Sequence, residues 1–150
     1  MYKVGQQARL WHDATRRDWS LSGPRPLSSV VWYPTEDEET LQDFHFGKPE
    51  PLFFVRNVAP GAPLLGGLQK LPLALLSHGT GGSALQLGWL AQALAANGYL
   101  VVAANHHGNT SVEPYVPHGF LLWWERARDL SVLLDQMLAD PVFGHRVDTT

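Results

Sequence analysis

From Leu73 onward the apolar positions change period several times. Leu73 to Ser77 (LALLS) is a short continuous apolar run, the pattern of a strand buried on both faces. Ser83 to Asn97 then places Leu87, Leu90, Ala91 and Leu94 at helical spacing, with Gly98 where a helix C′ residue belongs and Ser83 where an N-cap belongs. Tyr99 to Ala104 (YLVVAA) returns to the buried-strand pattern, and a loop with His106, His107, Pro114 and Pro117 follows. Leu122 to Ala139 is helical again, with Leu130, Leu133, Leu134, Met137 and Leu138 on one side and Pro141 just past its end. The order strand, glycine turn, helix, strand, loop, helix is a βαβα run. It predicts two parallel strands in an α/β sheet.

The first seventy residues are punctuated differently. Val4 to Trp11 is a weakly patterned strand, and Asp13 to Pro26 reads as a hairpin loop. Ser28 to Tyr33 (SSVVWY) is a β-branched and aromatic strand that Pro34 stops. Thr35 to Pro51 holds the acidic run Glu36-Asp37-Glu38-Glu39 and reads as a solvated loop. Phe53 to Val58 reads as a short edge strand, and Ala59 to Lys70 as irregular chain. Residues 1–70 are thus a strand- and loop-rich start and residues 71–150 the βαβα segment of one domain, 1–150, without an internal repeat. Val147 to Thr150 stands where a further strand should begin, so the sheet is expected to continue beyond it and the domain to be incomplete.

Composition narrows the classes. The chain has 150 residues, 45% of them apolar and 17% charged, which supports a packed core and excludes a disordered tail. A net charge of -3 does not suggest a nucleic-acid partner. With no cysteine, disulfides, Cys-based zinc sites and a Cys nucleophile within these residues are excluded. No apolar run reaches the ~18 residues of a membrane span. Met1 to Arg9 is polar and lacks the apolar stretch of a signal peptide, so a cytoplasmic location is expected.

The candidate chemistry lies in His78-Gly79-Thr80-Gly81-Gly82, between a strand and a helix. Glycines there let backbone N–H groups face a cavity and stabilise an oxyanion, or cradle a pyrophosphate at the helix N-terminus. Gly79 to Ala84 fits G-x-G-x-x-[G/A], which would make a nucleotide-binding βαβ unit. That reading also needs an acidic residue at the end of the next strand, and the chain has Ala103-Ala104-Asn105-His106 there. A tight turn without chemistry is the third reading. His106, His107 and His118 share one loop, but their spacing fits no standard metal-ligand pattern, so no metal is assigned. Phe120 to Trp124 reads as core at a helix start, and Arg126 and Asp129, three apart on the helix, as structural residues that pair or cap locally.

Several ordered motifs decide between the readings. Val30-Val31-Trp32-Tyr33-Pro34, LALLSHGTGG over Leu73 to Gly82, Asn97-Gly98-Tyr99-Leu100-Val101-Val102, and Trp124-Glu125-Arg126-Ala127-Arg128-Asp129-Leu130 occur in that order. Together, over about residues 28–148, they resemble the predicted dienelactone-hydrolase group of bacterial esterases, which is similar to the platelet-activating-factor acetylhydrolases. The resemblance implies the N-terminal part of an α/β-hydrolase fold, an α/β class with a mostly parallel sheet. Ser28–Tyr33, Leu73–Ser77 and Tyr99–Ala104 would be its second, third and fourth strands, in spatial order 1-2-4-3-5, leaving Leu73–Leu76 at an open edge.

The resemblance further implies that the Thr80 backbone N–H is an oxyanion donor, in a loop with His78, Gly79, Gly81 and Gly82. His78 would be structural, and His107, Gly108 and Asn109 would wall the pocket. The nucleophile would sit in a G-x-S-x-G elbow after the next strand, with acid and His later still. No such elbow occurs in these residues; Gly81-Gly82-Ser83-Ala84-Leu85 has Leu85 in place of the last glycine. The expected function is therefore part of a serine-type carboxylic ester hydrolase, inactive alone, acting in its full form on a small-molecule or lipid ester without a cofactor. Dienelactone hydrolases proper use a Cys nucleophile, and relatives are often exported. A non-catalytic binding module is the alternative.

Overall fold

The computed structural model describes residues 1–37, 41–46, 50–67 and 69–150. Among the described residues six strands form one sheet in the order β3-β4-β1-β2-β6-β5. They are β1 (Lys3–Arg17), β2 (Pro24–Thr35), β3 (Gln42–Phe46), β4 (Phe53–Pro60), β5 (Leu73–Ser77) and β6 (Leu100–Asn105). Helices α1 (Gly88–Ala96), α2 (Pro117–Leu121) and α3 (Glu125–Ala139) complete the layers.

The alternation of β2 explains why the sheet is covered twice. Val30 and Trp32 point to one face, where they pack with Val101, Ala103 and the α1 residues Ala91 and Ala95. Val31 and Tyr33 point to the other, against Leu100, Val102 and the α3 residues Leu133 and Met137. Successive strand residues face opposite sides. A strand apolar at both parities therefore needs a helix layer on each side. β5 and β6 run parallel, with Leu73 opposite Leu100 and Ser77 opposite Ala104. β6 and β2 are antiparallel, as are β2 and β1. The sequence β1-β2-β6-β5 is the expected 1-2-4-3 order of an α/β-hydrolase start.

Several boundaries differ from the sequence reading. The loop expected over Asp13 to Pro26 is shorter, because β1 runs on to Arg17 and β2 starts at Pro24. Asp13, buried, takes the Thr15 N–H at 2.8 Å and Arg16 Nε at 2.5 Å, and the strand register shifts there without ending. Pro34 does not stop β2: its fixed φ tolerates extended backbone, and its carbonyl accepts the Leu65 N–H at 2.8 Å. The segment read as a loop after Thr35 contains β3, paired antiparallel with β4. β4 also pairs parallel with β1, so Phe53–Val58 is an inner strand and β3 is the edge. Glu36 is exposed, as expected of a solvated loop, whereas Glu38 and Glu39 lie outside the described residues.

The first helix is split into a 3₁₀ turn, Ala84–Leu87, and α1. A Cβ at Gly88 would come within 2.3 Å of Val55 Cγ2, so the helix starts where a glycine lets it meet β4. Ser83 holds the extended N-cap position, but its side chain makes no capping bond. Asn105 Oδ1 takes the Ala84 N–H instead, at 2.8 Å. Gly98 has φ +92, as the helix-end reading requires.

The helix predicted from Leu122 begins at Glu125, behind the separate short α2. Leu121 (68%), Trp123 (68%) and Trp124 (49%) are exposed, which corrects the reading of this cluster as core. α2 is seated by Gly119, where a Cβ would lie 2.5 Å from the Gly108 carbonyl carbon. At the other end Val147 makes a parallel bridge to Leu71, the start of pairing alongside β5.

Candidate active site

The glycine turn follows β5 and is shaped by the hydrogen bonds of His78. The imidazole is buried, and its Nε2 accepts the His106 N–H at 3.1 Å. That leaves the proton on Nδ1, which donates to the Gly79 carbonyl at 2.6 Å. The Gly82 N–H donates to the same carbonyl at 3.0 Å. C=O and N–H point in opposite directions across a trans peptide. Fixing the Gly79 carbonyl inward therefore turns the Thr80 N–H outward. Among the described residues that N–H has no partner, and Thr80 is exposed.

The next amides are occupied by the loop after β6. The Gly81 N–H donates to Asn109 Oδ1 at 2.6 Å, while Asn109 Nδ2 donates to the Gly119 carbonyl at 2.9 Å. Tyr115 Oη donates to the Gly81 carbonyl, and Thr110 Oγ1 and the Ser111 N–H to that of Gly82. Gly81 has φ +67, in the region where a side chain is strained. Asn109 is thus a buried clamp on the turn. His107 bonds Glu113 through Nδ1 at 2.7 Å and stacks on Trp19; Gly108, with φ +79, lies under the same indole.

Beneath the turn lies a buried ionic network that the sequence reading missed. Asp129 of α3 is fully buried. It accepts Arg25 Nε at 2.7 Å, Arg25 Nη2 at 3.0 Å, Arg16 Nη2 at 2.8 Å and His106 Nδ1 at 3.0 Å. Burial alone would raise its pKa, but the bonds from His106 and Arg25 outweigh that and hold the carboxyl far below the usual carboxylate range. Arg126 does not pair with Asp129 as the sequence reading had it. It donates to the His78 carbonyl and to Ser77 Oγ at 3.1 Å. Burial pushes the His78 imidazole down to about 4, so it is neutral at pH 7. Burial also lowers the pKa of His106, against the pull of Asp129.

The structure therefore brings His78, Gly79, Thr80, Gly81, Gly82 and Asn109 together, with His107 and Gly108 behind them. A cavity of about 440 Å³ opens elsewhere, between Trp19, Leu21, Arg25, His118 and Leu122, and one of about 380 Å³ lies along β5. Residues 78–82 line neither. Among the described residues no group of three His, Cys, Asp or Glu side chains could hold a metal, and no helix is long and apolar enough to cross a membrane. The one signal that pointed toward the ionic network was the Trp-x-Arg-x-x-Asp helix motif. Its partners Arg16 and Arg25 sit in a segment that reads as a loop.

A sheet in the order above, with a glycine turn after β5 from which the Thr80 N–H faces outward, has the architecture of the start of an α/β-hydrolase fold. The family of platelet-activating factor acetylhydrolase, isoform II, matches residues 54–119, a stretch containing the whole turn. Among solved structures the chain is similar to a ferulic acid esterase from Streptomyces cinnamoneus, with 24% identity and a TM-score of 0.73. The match covers 98% of this chain and 49% of that one, so the chain spans about half the length of the structure it matches. At that identity the likeness is one of fold. No curated protein matches. The two matches agree with the α/β-hydrolase fold that the motifs implied.

Proposed function

We propose that this chain supplies the oxyanion-hole loop of a serine-type carboxylic ester hydrolase, with the Thr80 N–H as one donor. The observation that carries the reading is the doubly bonded Gly79 carbonyl, which leaves the Thr80 N–H turned outward and unpartnered. Such a preset donor stabilises the oxygen of a tetrahedral intermediate without reorganising during reaction. Gly79 and Gly81 keep the approach free of side chains, and His78 and Asn109 hold the turn.

The second donor would be the N–H following the nucleophile. Since residues 1–150 hold no G-x-S-x-G, the elbow, the acid and the catalytic His are proposed to come from outside them. The substrate is then a small-molecule or lipid ester and the work needs no cofactor, metal or nucleic acid.

Two measurements test this. Reading the coding DNA past Thr150 should reveal a buried strand and a G-x-S-x-G within roughly 30 residues. The product carrying that elbow should turn over a short-chain p-nitrophenyl ester, and residues 1–150 alone should not. Thr80→Pro, which removes the donor, should lower kcat by about 10²-fold or more. A stop codon directly after Thr150, or an undiminished kcat in Thr80→Pro, overturns the proposal. The first outcome would favour a non-catalytic binding module.

A further inference from the structure

We propose that Ser77, His106 and Asp129 form a hydrogen-bonded array that makes the Ser77 hydroxyl a nucleophile toward electrophilic phosphorus centres, independently of any elbow serine. The array is read from geometry. Ser77 Oγ lies 2.9 Å from His106 Nε2, and His106 Nδ1 lies 3.0 Å from Asp129 Oδ2. An ionised carboxylate only accepts, so Nδ1 carries the ring proton and Nε2 presents its lone pair to the hydroxyl. Asp129 is held in place by Arg16 and Arg25, which fixes the imidazole plane. Arg126 Nη2 donates to Ser77 Oγ from the other side, and its positive charge favours the developing alkoxide. His106 and Asp129 are sealed from solvent, whereas Ser77, at the C-terminal end of β5, is exposed.

These are the roles of nucleophile, base and orienting carboxylate, which are recognised by geometry and not by chain position. The chain order Ser, His, Asp differs from the nucleophile, acid, His order of this fold. The array is therefore not the set that the Thr80 reading places outside residues 1–150. The class of reagent it would take is an electrophilic phosphorus centre that carries a good leaving group. With a fluorophosphonate, Ser77 Oγ attacks phosphorus, the hydroxyl proton passes to His106 Nε2, and the P–F bond breaks to release fluoride. The product is a stable phosphonyl ester on Ser77, so the reaction ends after one equivalent.

The test is intact-mass and peptide mapping of residues 1–150 after exposure to an alkyl fluorophosphonate. The expected result is one adduct, on Ser77, absent from Ser77→Ala. General-base assistance is worth about 10²–10⁴-fold, so the folded chain should react at least ~100-fold faster than the same chain in urea. Ser77 is exposed, and the Ser77→Ala variant should give the far-ultraviolet circular dichroism of the parent. The urea comparison needs no variant at all. No adduct, an adduct on Ser20, Ser111 or Ser131 at the same rate as on Ser77, or equal rates folded and unfolded would each overturn the proposal. None of those outcomes bears on Thr80, because phosphonylation of this chain does not use the elbow.

Discussion

Asp129 is the residue on which most of the buried charge converges. Arg16 and Arg25, both nearly sealed, depend on it, and Asp13 and Glu125 balance Arg16 from the other side. Removing one partner of a buried ion pair leaves the others uncompensated, which costs about 3–5 kcal/mol. Asp129→Asn is therefore expected to lower the unfolding free energy by an amount in that range, read as a lower urea midpoint at little change in m-value. His78 and His106, both held below the ordinary imidazole range by burial, give the pH dependence, and His78 sets its window. The His78 folded pKa of about 4 lies below the ordinary 6.5, so between those values the unfolded chain binds more protons. Stability should be fully present above about pH 6.5 and be lost as pH falls through about 4. Asp129 stays ionised across that window, since its pKa lies far beneath it. Urea midpoints across this range would check the slope, and a flat profile would contradict the neutral, doubly bonded imidazole. None of this was legible from the residues alone: Arg16 and Arg25 stand 113 and 104 positions from Asp129, and no local period reports such a pairing.

At the scale of elements, the β1–β2 hairpin shows where glycine is needed and where it is not. A Cβ at Gly5 would lie 2.3 Å from Tyr33 Cε2. That ring cannot yield, because it is fully buried and its hydroxyl donates to the Ala62 carbonyl at 2.6 Å. Overpacking of this kind costs about 1–3 kcal/mol, so Gly5→Ala should shift the urea midpoint down accordingly. Gly23, at the hairpin turn, has open space around it, and Gly23→Ala should be close to neutral. Equal effects at the two sites would show that backbone entropy and not Tyr33 decides. Strand and helix existence from Leu73 onward was legible because those apolar runs keep one period over their length. β3 was not. Its residues, Gln42 to Phe46, alternate only over Asp43-Phe44-His45-Phe46, too short a run to stand out from the polar chain around it, and become a strand by pairing with β4. The split of α1 at Gly88 and the exposure of Trp123 and Trp124 were equally invisible. The first depends on what packs opposite Gly88, the Val55 side chain of β4.

For the whole molecule the telling feature is the far side of β5. Its inner side pairs with β6, while its outer side meets only the Leu71–Val147 bridge among the described residues. Leu73, Leu75, Leu134, Leu138 and Val147 line a shallow groove there, and Leu134 (37%) and Leu138 (40%) are exposed. An open apolar edge templates pairing with another chain. Residues 1–150 are thus expected to self-associate as concentration rises, and Leu134→Lys with Leu138→Lys should shift sedimentation velocity profiles toward monomer. A monomer at all concentrations with a cooperative urea transition would count against this.

The sequence by itself determined the α/β class and the place of the glycine turn, while the 1-2-4-3 strand order was implied by the family resemblance that its motifs carry. The first two rest on short-range pattern: apolar period, and glycine where backbone must turn. Only the tertiary structure decided which backbone groups the turn offers. The direction of the Thr80 N–H is set by what holds the Gly79 carbonyl, and that is a histidine ring oriented in turn by the backbone of β6. Likewise, Ser77, His106 and Asp129 meet only because β5, β6 and α3 are stacked. Their side chains are brought within hydrogen-bond reach by long-range packing, which the local order of residues does not encode.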